Sequence, residues 1–95
     1  MPERYELLFR PEVQGDLEAL GALHLRRVLA ALEARLSLEP QKYGKPLGGS
    51  LAGLRRVRVG DHRIAYQVTG RRVVIWAVVH RKTVYAELSR RLGRA

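Results

Sequence analysis

The apolar residues of this chain change their spacing once, either side of Pro40, and that change limits what it can fold into. Before it, Leu25, Val28, Leu29, Leu32 and Leu36 fall at i, i+3, i+4, i+7 and i+11, one continuous stripe along a helix. After it the period is two. Val57 and Val59 alternate with Arg56 and Arg58, and Ile64, Tyr66 and Val68 alternate with Arg63, Ala65 and Gln67. A chain that carries both periods in separate halves predicts an α+β fold, with helices laid on a sheet.

The flanking signals complete the order. Tyr5 to Phe9 is a short apolar run closed by Arg10-Pro11, and it reads as a first strand. Pro11 suits the first turn of a helix, with Glu12 and Asp16 near its positive end. Val13, Leu17 and Leu20 continue that helix, Gly21 breaks it, and the striped helix follows as the second arm of a hairpin. The segment Gln41 to Gly53 is rich in Gly, Pro and Lys and reads as a loop. Gly60-Asp61 predicts a two-residue hairpin turn, and Gly70 marks the next one. Arg72 to His80 is apolar on both faces, so it belongs in the middle of the sheet or under cover on both sides. Val84 to Leu92 closes the chain as a short helix. The expected architecture is an N-terminal strand, a two-helix hairpin, a three-strand antiparallel meander packed on the helices, and a short C-terminal helix. At 95 residues it is expected to be one domain spanning 1–95, with the helices on one face of the sheet.

Charge narrows the function. Residues 1–40 hold five basic and seven acidic side chains, a net of −2, whereas residues 41–95 hold thirteen and two, a net of +11. An Arg-rich genome explains the choice of fifteen Arg over three Lys, but not their segregation into the strand half. A one-sided excess of that size points to a polyanion or an acidic protein partner. Cysteine is absent, so disulfides and thiolate metal sites are excluded, and a reducing cytoplasm is the expected compartment. Three scattered histidines make no visible metal cluster, and no cofactor motif is present; Gly48-Gly49 is turn chemistry rather than a nucleotide loop. No apolar stretch is long enough to span a membrane.

Alternation places Arg56 and Arg58 on one side of their strand. If that side faces away from the hairpin, Arg63 joins them, and Arg81 and Tyr85 arrive just past the last strand. Arg56 and Arg58 could be ordinary solvated strand residues. Arg63, in an apolar strand, is harder to explain so. Four guanidiniums gathered on one face repel each other unless an anion lies between them, and a phosphodiester is such an anion. Tyr66 and Trp76 read as core aromatics, and His24 as inert rim.

The fragments Lys45-Pro46-Leu47-Gly48-Gly49, Leu54-Arg55-Arg56-Val57-Arg58-Val59-Gly60-Asp61-His62-Arg63-Ile64-Ala65-Tyr66 and His80-Arg81-Lys82-Thr83-Val84-Tyr85, in this order and spacing, resemble the RelE/ParE toxin superfamily. The resemblance covers most of the chain and implies a toxin of a type II toxin–antitoxin system. RelE-like members of that superfamily bind the ribosomal decoding site, cut the messenger there and are silenced by a cognate antitoxin. By that resemblance Arg56, Arg58, Arg63, Arg81 and Tyr85 are the catalytic candidates. Family members often carry Lys where this chain has Arg56 and Arg58. Arg effectively never loses its proton, so those two positions suit charge stabilisation and not base catalysis.

Metal-free RNA cleavage turns the ribose 2′-hydroxyl on the adjacent phosphate and needs in-line placement, charge stabilisation and two proton transfers. His80, His62 and Tyr85 are the acid–base candidates, although His80 shares strand parity with Trp76 and Val78 and could simply pack there. Lys42, Lys45, Arg55, His62 and Lys82 are the expected RNA contacts. The expected partners are ribosome, mRNA and an acidic antitoxin that lies across the basic face or displaces the C-terminal helix. Two alternatives share the same features: a ParE-like inhibitor of DNA gyrase, and a basic RNA-binding module without catalysis.

Overall fold

In a computed structural model that describes residues 4–93, the alternating half of the chain forms most of a five-stranded sheet. Its strands are β1 (Glu6–Phe9), β2 (Lys45–Pro46), β3 (Arg55–Val59), β4 (His62–Thr69) and β5 (Arg72–His80), arranged in space as β1-β5-β4-β3-β2. The β3-β4-β5 meander is antiparallel, and β1 adds to β5 in parallel. Gly60 and Gly70, at φ 61° and 60°, take the left-handed conformation that lets each hairpin turn close. The apolar strand β5 lies between β1 and β4, covered on both faces, as its composition requires.

The helices are α1 (Pro11–Glu18), α2 (Ala22–Ala31), a one-turn α3 (Pro40–Tyr43) and α4 (Val84–Arg91). Pro11 stands at the first helical position, where its missing N–H costs nothing. The hairpin α1–α2 and the turn that extends it bury Val13, Val28, Leu32 and Leu36 against Val57, Ile64, Tyr66, Val73, Ile75 and Val78 of one sheet face. A second cluster, Leu51, Leu54, Ala65, Ala77, Val84 and Leu88, fastens α4 to the other face. Helices therefore cover parts of both faces, not one.

Three further departures from the sequence reading have physical causes. The expected stripe on α2 includes Leu29, yet Leu29 is exposed and Ala31 is buried in its place. After α2 the helix widens into a π turn, Leu32–Leu36, closed by the Ser37 N–H donating to the Leu32 carbonyl at 2.9 Å. Around a wider turn each residue advances less than the usual angle of about 100°, so Leu36 swings into line with Val28 and Leu32, and Leu29 falls outside. The loop expected over 41–53 contains β2, the end of α3 and a 3-10 turn, Gly49–Leu51. Proline explains part of this: Pro40 opens a helical turn, and Pro46 is tolerated on an edge strand, where no ladder donor is needed. Finally, the β4–β5 register slips at Ala65/Tyr66, which leaves Trp76 without an opposite residue. This bulge turns Trp76 toward α4 while Val78 packs toward the hairpin.

Candidate functional site

The side of β3 that carries Arg56 and Arg58 faces away from the helical hairpin. Arg56 pairs with Ala65, a member of the α4 cluster, and Arg58 stands directly opposite Arg63 on β4. Like charges directly opposite one another destabilise a sheet. Arg63 is only 6 % exposed, and its Nη1 donates to the Gly60 and His62 carbonyls at 3.0 and 2.8 Å, tying it to the turn. Burial, followed by the fields of Arg58, Arg56 and Arg81, lowers its pKa from the ordinary arginine range. The other three guanidiniums thus act on Arg63. Asp61 offers a carboxylate: Arg81 Nε lies 3.7 Å from it, and the Arg81 N–H donates to the Asp61 carbonyl at 2.8 Å. Arg56 and Arg58 have no ion pair among the described residues, and the Arg56 Nε is buried without a hydrogen-bond partner. Tyr85, in the first turn of α4, is 48 % exposed.

His80 and His62 form a separate group. They face each other across β4 and β5 with ring centroids 5.9 Å apart, and His24 of α2 leans on His62 at 4.8 Å. His24, expected to be inert rim, is the third member of a histidine cluster. Burial, then His24 and His80, push the His62 pKa below its ordinary value, against an opposing pull from Asp61. The Lys82 N–H donates to His80 Nδ1 at 3.1 Å, which occupies the lone pair that a neutral His80 would need as a base. His80 keeps strand parity with Val78 but not with Trp76, because the bulge separates them. Among the described residues, no group of three His, Cys, Asp or Glu has a geometry that could hold a metal ion.

The expected RNA contacts divide. Arg55 is committed to the chain: one of its nitrogens, Nη2, donates to the Gln41 and Gly44 carbonyls at 2.8 and 3.0 Å. Lys42 pairs with Glu39 at 3.5 Å, and Lys82 is exposed beside Arg81. Lys45 lines a cavity of about 300 Å³ with Arg35, Tyr43, Arg56, Val57 and Arg58. Arg35 and Tyr43 were not among the sequence candidates. Tyr43 had a signal, as an aromatic between two lysines flagged for RNA; Arg35 had none, since it reads as an ordinary polar position of the long helix.

Similarity to known proteins runs along the same residues. The family described as "ParE toxin of type II toxin-antitoxin system" matches residues 7–85. This chain belongs to that toxin family, within the RelE/ParE superfamily. Toxin RelG of Mycobacterium tuberculosis is 35% identical over 83 residues, which cover 85% of this chain and 95% of that toxin. Among solved structures, the toxin–antitoxin complex RelBE2 of Mycobacterium tuberculosis contains a chain that superposes with a TM-score of 0.77 at 35% identity, covering 82% of this chain and 99% of that one. A chain of the RelB–RelE antitoxin–toxin complex of Methanococcus jannaschii matches at 0.64 and 27% identity, covering 82% and 94%. The family's α+β toxin fold is the fold of this chain. No helix among the described residues is long and apolar enough to cross a membrane.

Proposed function

We propose that this family member is a ribosome-dependent endoribonuclease that cuts mRNA by attack of the ribose 2′-hydroxyl on the adjacent phosphate. The observation that carries this reading is the gathering of Arg56, Arg58, Arg63 and Arg81, with Asp61 as the carboxylate beside them. Such a surface is electrostatically incomplete and suits a phosphate that gains negative charge in the transition state. In the reaction the 2′-oxygen bonds to phosphorus, the bond from phosphorus to the 5′-oxygen breaks, and a cyclic phosphate and a 5′-hydroxyl result. One proton leaves the 2′-hydroxyl and another reaches the departing oxygen. Arg56, Arg58 and Arg81 stabilise the phosphorane, and Arg63, anchored to its turn, sets their spacing. Tyr85 is exposed where it can stack on a base or hydrogen-bond near the 2′-hydroxyl. No arginine can serve as base, and the His80 lone pair is occupied, so rate comes mainly from in-line positioning completed by the ribosome. The site of action is accordingly the cytoplasm. A cognate acidic antitoxin holds the toxin in a hetero-oligomer, a reading supported by relatives solved as antitoxin–toxin complexes.

Translation of a defined messenger, with primer extension to map breaks, tests the proposal. Breaks should require both ribosomes and Arg81, and Arg81→Ala should abolish cutting while ribosome binding persists. The ParE description of the family favours a second reading, inhibition of DNA gyrase by binding. Intact messenger with unaffected translation, together with inhibited supercoiling, would replace the first reading by the second.

A further inference from the structure

The cavity beside β3 has a wall that the cleavage chemistry does not use. Tyr43 stands 41 % exposed at the end of α3, with Arg35 and Lys42 cations 6.0 and 5.4 Å from its ring centre. An exposed aromatic on a four-residue helix would ordinarily be loosely held. This one is not. The Tyr66 hydroxyl donates to the Pro40 carbonyl, and Arg55 bridges the Gln41 and Gly44 carbonyls, so both ends of the turn are fixed to the sheet. Gly44 permits the approach, since a Cβ there would lie 1.8 Å from the Tyr66 hydroxyl. The turn that carries the ring is therefore fixed at the mouth of a basic cavity of about 300 Å³. Arg56, whose Nε is buried without a partner, lines it together with Lys45 and Arg58, which supply further positive charge.

We propose that Tyr43, Arg35, Lys45 and Arg56 form a nucleotide subsite, in which a base stacks on Tyr43 and its phosphate is held by Arg35, Lys45 and Arg56. This deepens the ribonuclease reading and rests on it for biological meaning: Arg56 and Arg58 belong to both the cavity and the cleavage face. The subsite seats a nucleotide flanking the phosphate that is cut. Stacking on an aromatic face is tolerant of base identity, and a cation near the same ring favours the electron-rich system. A peptide strand added to the open edge of β3 is a poorer match. The outward Arg58 carbonyl already accepts from Arg35 Nη1 at 3.3 Å, which blocks part of that ladder.

The full-length protein can be titrated with adenosine 5′-monophosphate, inorganic phosphate and a short poly-glutamate peptide, followed by NMR of the tyrosine rings and arginine side chains. The nucleotide should move the Tyr43 ring and Arg35 Nε signals and bind more tightly than phosphate. Tyr43→Ala should weaken nucleotide binding by roughly ten-fold and leave phosphate binding unchanged. Tyr43→Trp should restore it, which separates stacking from any loss of folding. Equal affinity for nucleotide and phosphate, indifferent to both substitutions, would overturn the subsite. Displacement of the nucleotide by the peptide, with shifts centred on the backbone amides of residues 57–59, would assign the groove to a protein strand instead. No bond breaks in this titration, so it is independent of cleavage. A chain that binds the nucleotide through Tyr43 but cuts no messenger keeps the subsite and loses the ribonuclease reading. One that cuts messenger while ignoring the nucleotide loses the subsite alone.

Discussion

Arginines gather in two places in this toxin, and the two are built in opposite ways. At the end of α4, Arg91 is nearly sealed from solvent, with its side chain 5 % exposed, and its nitrogens meet Asp16 twice at 2.7 Å. Glu87 serves both Arg91 and Arg90. On the sheet face, Arg58 and Arg63 oppose one another, and Arg56 has no acidic partner among the described residues. The same side chain is thus spent on holding the fold at one site and left electrostatically open at the other. Where stability sets the arrangement, each guanidinium has its carboxylate. Where it does not, the positive charge is left uncompensated among the described residues.

Breaking the paired site should have the largest effect on the fold. Arg91→Met leaves the Asp16 carboxylate buried without its counter-charge. Loss of one partner of a buried pair costs about 3–5 kcal/mol, which urea or thermal unfolding will read directly. A stability change below about 1 kcal/mol would mean that Asp16 is hydrated and the two regions differ less than described.

Acid separates the regions next. A histidine whose folded pKa is depressed resists protonation in the native state but not in the unfolded one. The His62 contribution is therefore complete above the ordinary histidine range, near 6.5, and is lost as pH falls from there toward its lowered folded value. Glu87, held below the usual carboxylate range chiefly by its hydrogen bond from Arg90, acts later. Its contribution is present above the unfolded pKa and is lost as pH falls through the folded one. Chemical unfolding at a series of pH values should show a first loss below neutrality that His62→Gln flattens, and a second, more acidic one that Glu87→Gln flattens.

The open face should respond in the opposite sense. Arg58→Gln removes one of two opposed charges, so stability should stay within about 1 kcal/mol of the parent or rise slightly. Messenger cutting should nevertheless fall by roughly 100-fold, the scale of losing one donor to a developing oxyanion. Clear destabilisation with cutting intact would make Arg58 a structural residue. The smallest effect belongs to an exposed pair: Glu6→Gln breaks the 3.1 Å contact with Arg72, and surface pairs contribute about 0–1 kcal/mol.

Much of the fold was legible from spacing, because burial acts on periodicity. The β3 to β5 meander, both glycine turns, the hairpin and α4 follow from residues that alternate or stripe. Trp76 shows where parity stops informing: one bulged residue moves it to the opposite face from Val78, and no local signal announces a bulge. Leu29 shows the same limit for a helix, since a single wide turn re-phases the stripe. That Arg56 and Arg58 share one side of β3 could be anticipated from strand alternation, but which side faces the hairpin could not. The histidine cluster and the Asp16–Arg91 pair could not, because their members lie far apart in sequence and meet only through packing between elements. Tyr43 lies in a segment that reads as loop, and its placement depends on Arg55 and Tyr66 fixing the turn that carries it.

The Asp16–Arg91 pair has a consequence beyond its own energy. β1 ends at Phe9, opposite Ile75, so the outer edge of β5 continues past it with open backbone groups. Asp16 Oδ2 accepts the Val78 N–H at 3.0 Å, and Arg91 Nη1 donates to the Trp76 carbonyl at 3.1 Å. Two side chains thereby imitate the strand that is missing. A bare strand edge is a template for another copy of the same chain. Opening this one by Arg91→Met should make the toxin associate with itself more strongly than the parent, visible as concentration-dependent growth in sedimentation velocity. The salt bridge that anchors the last helix is, in that sense, also the molecule's guard against polymerisation.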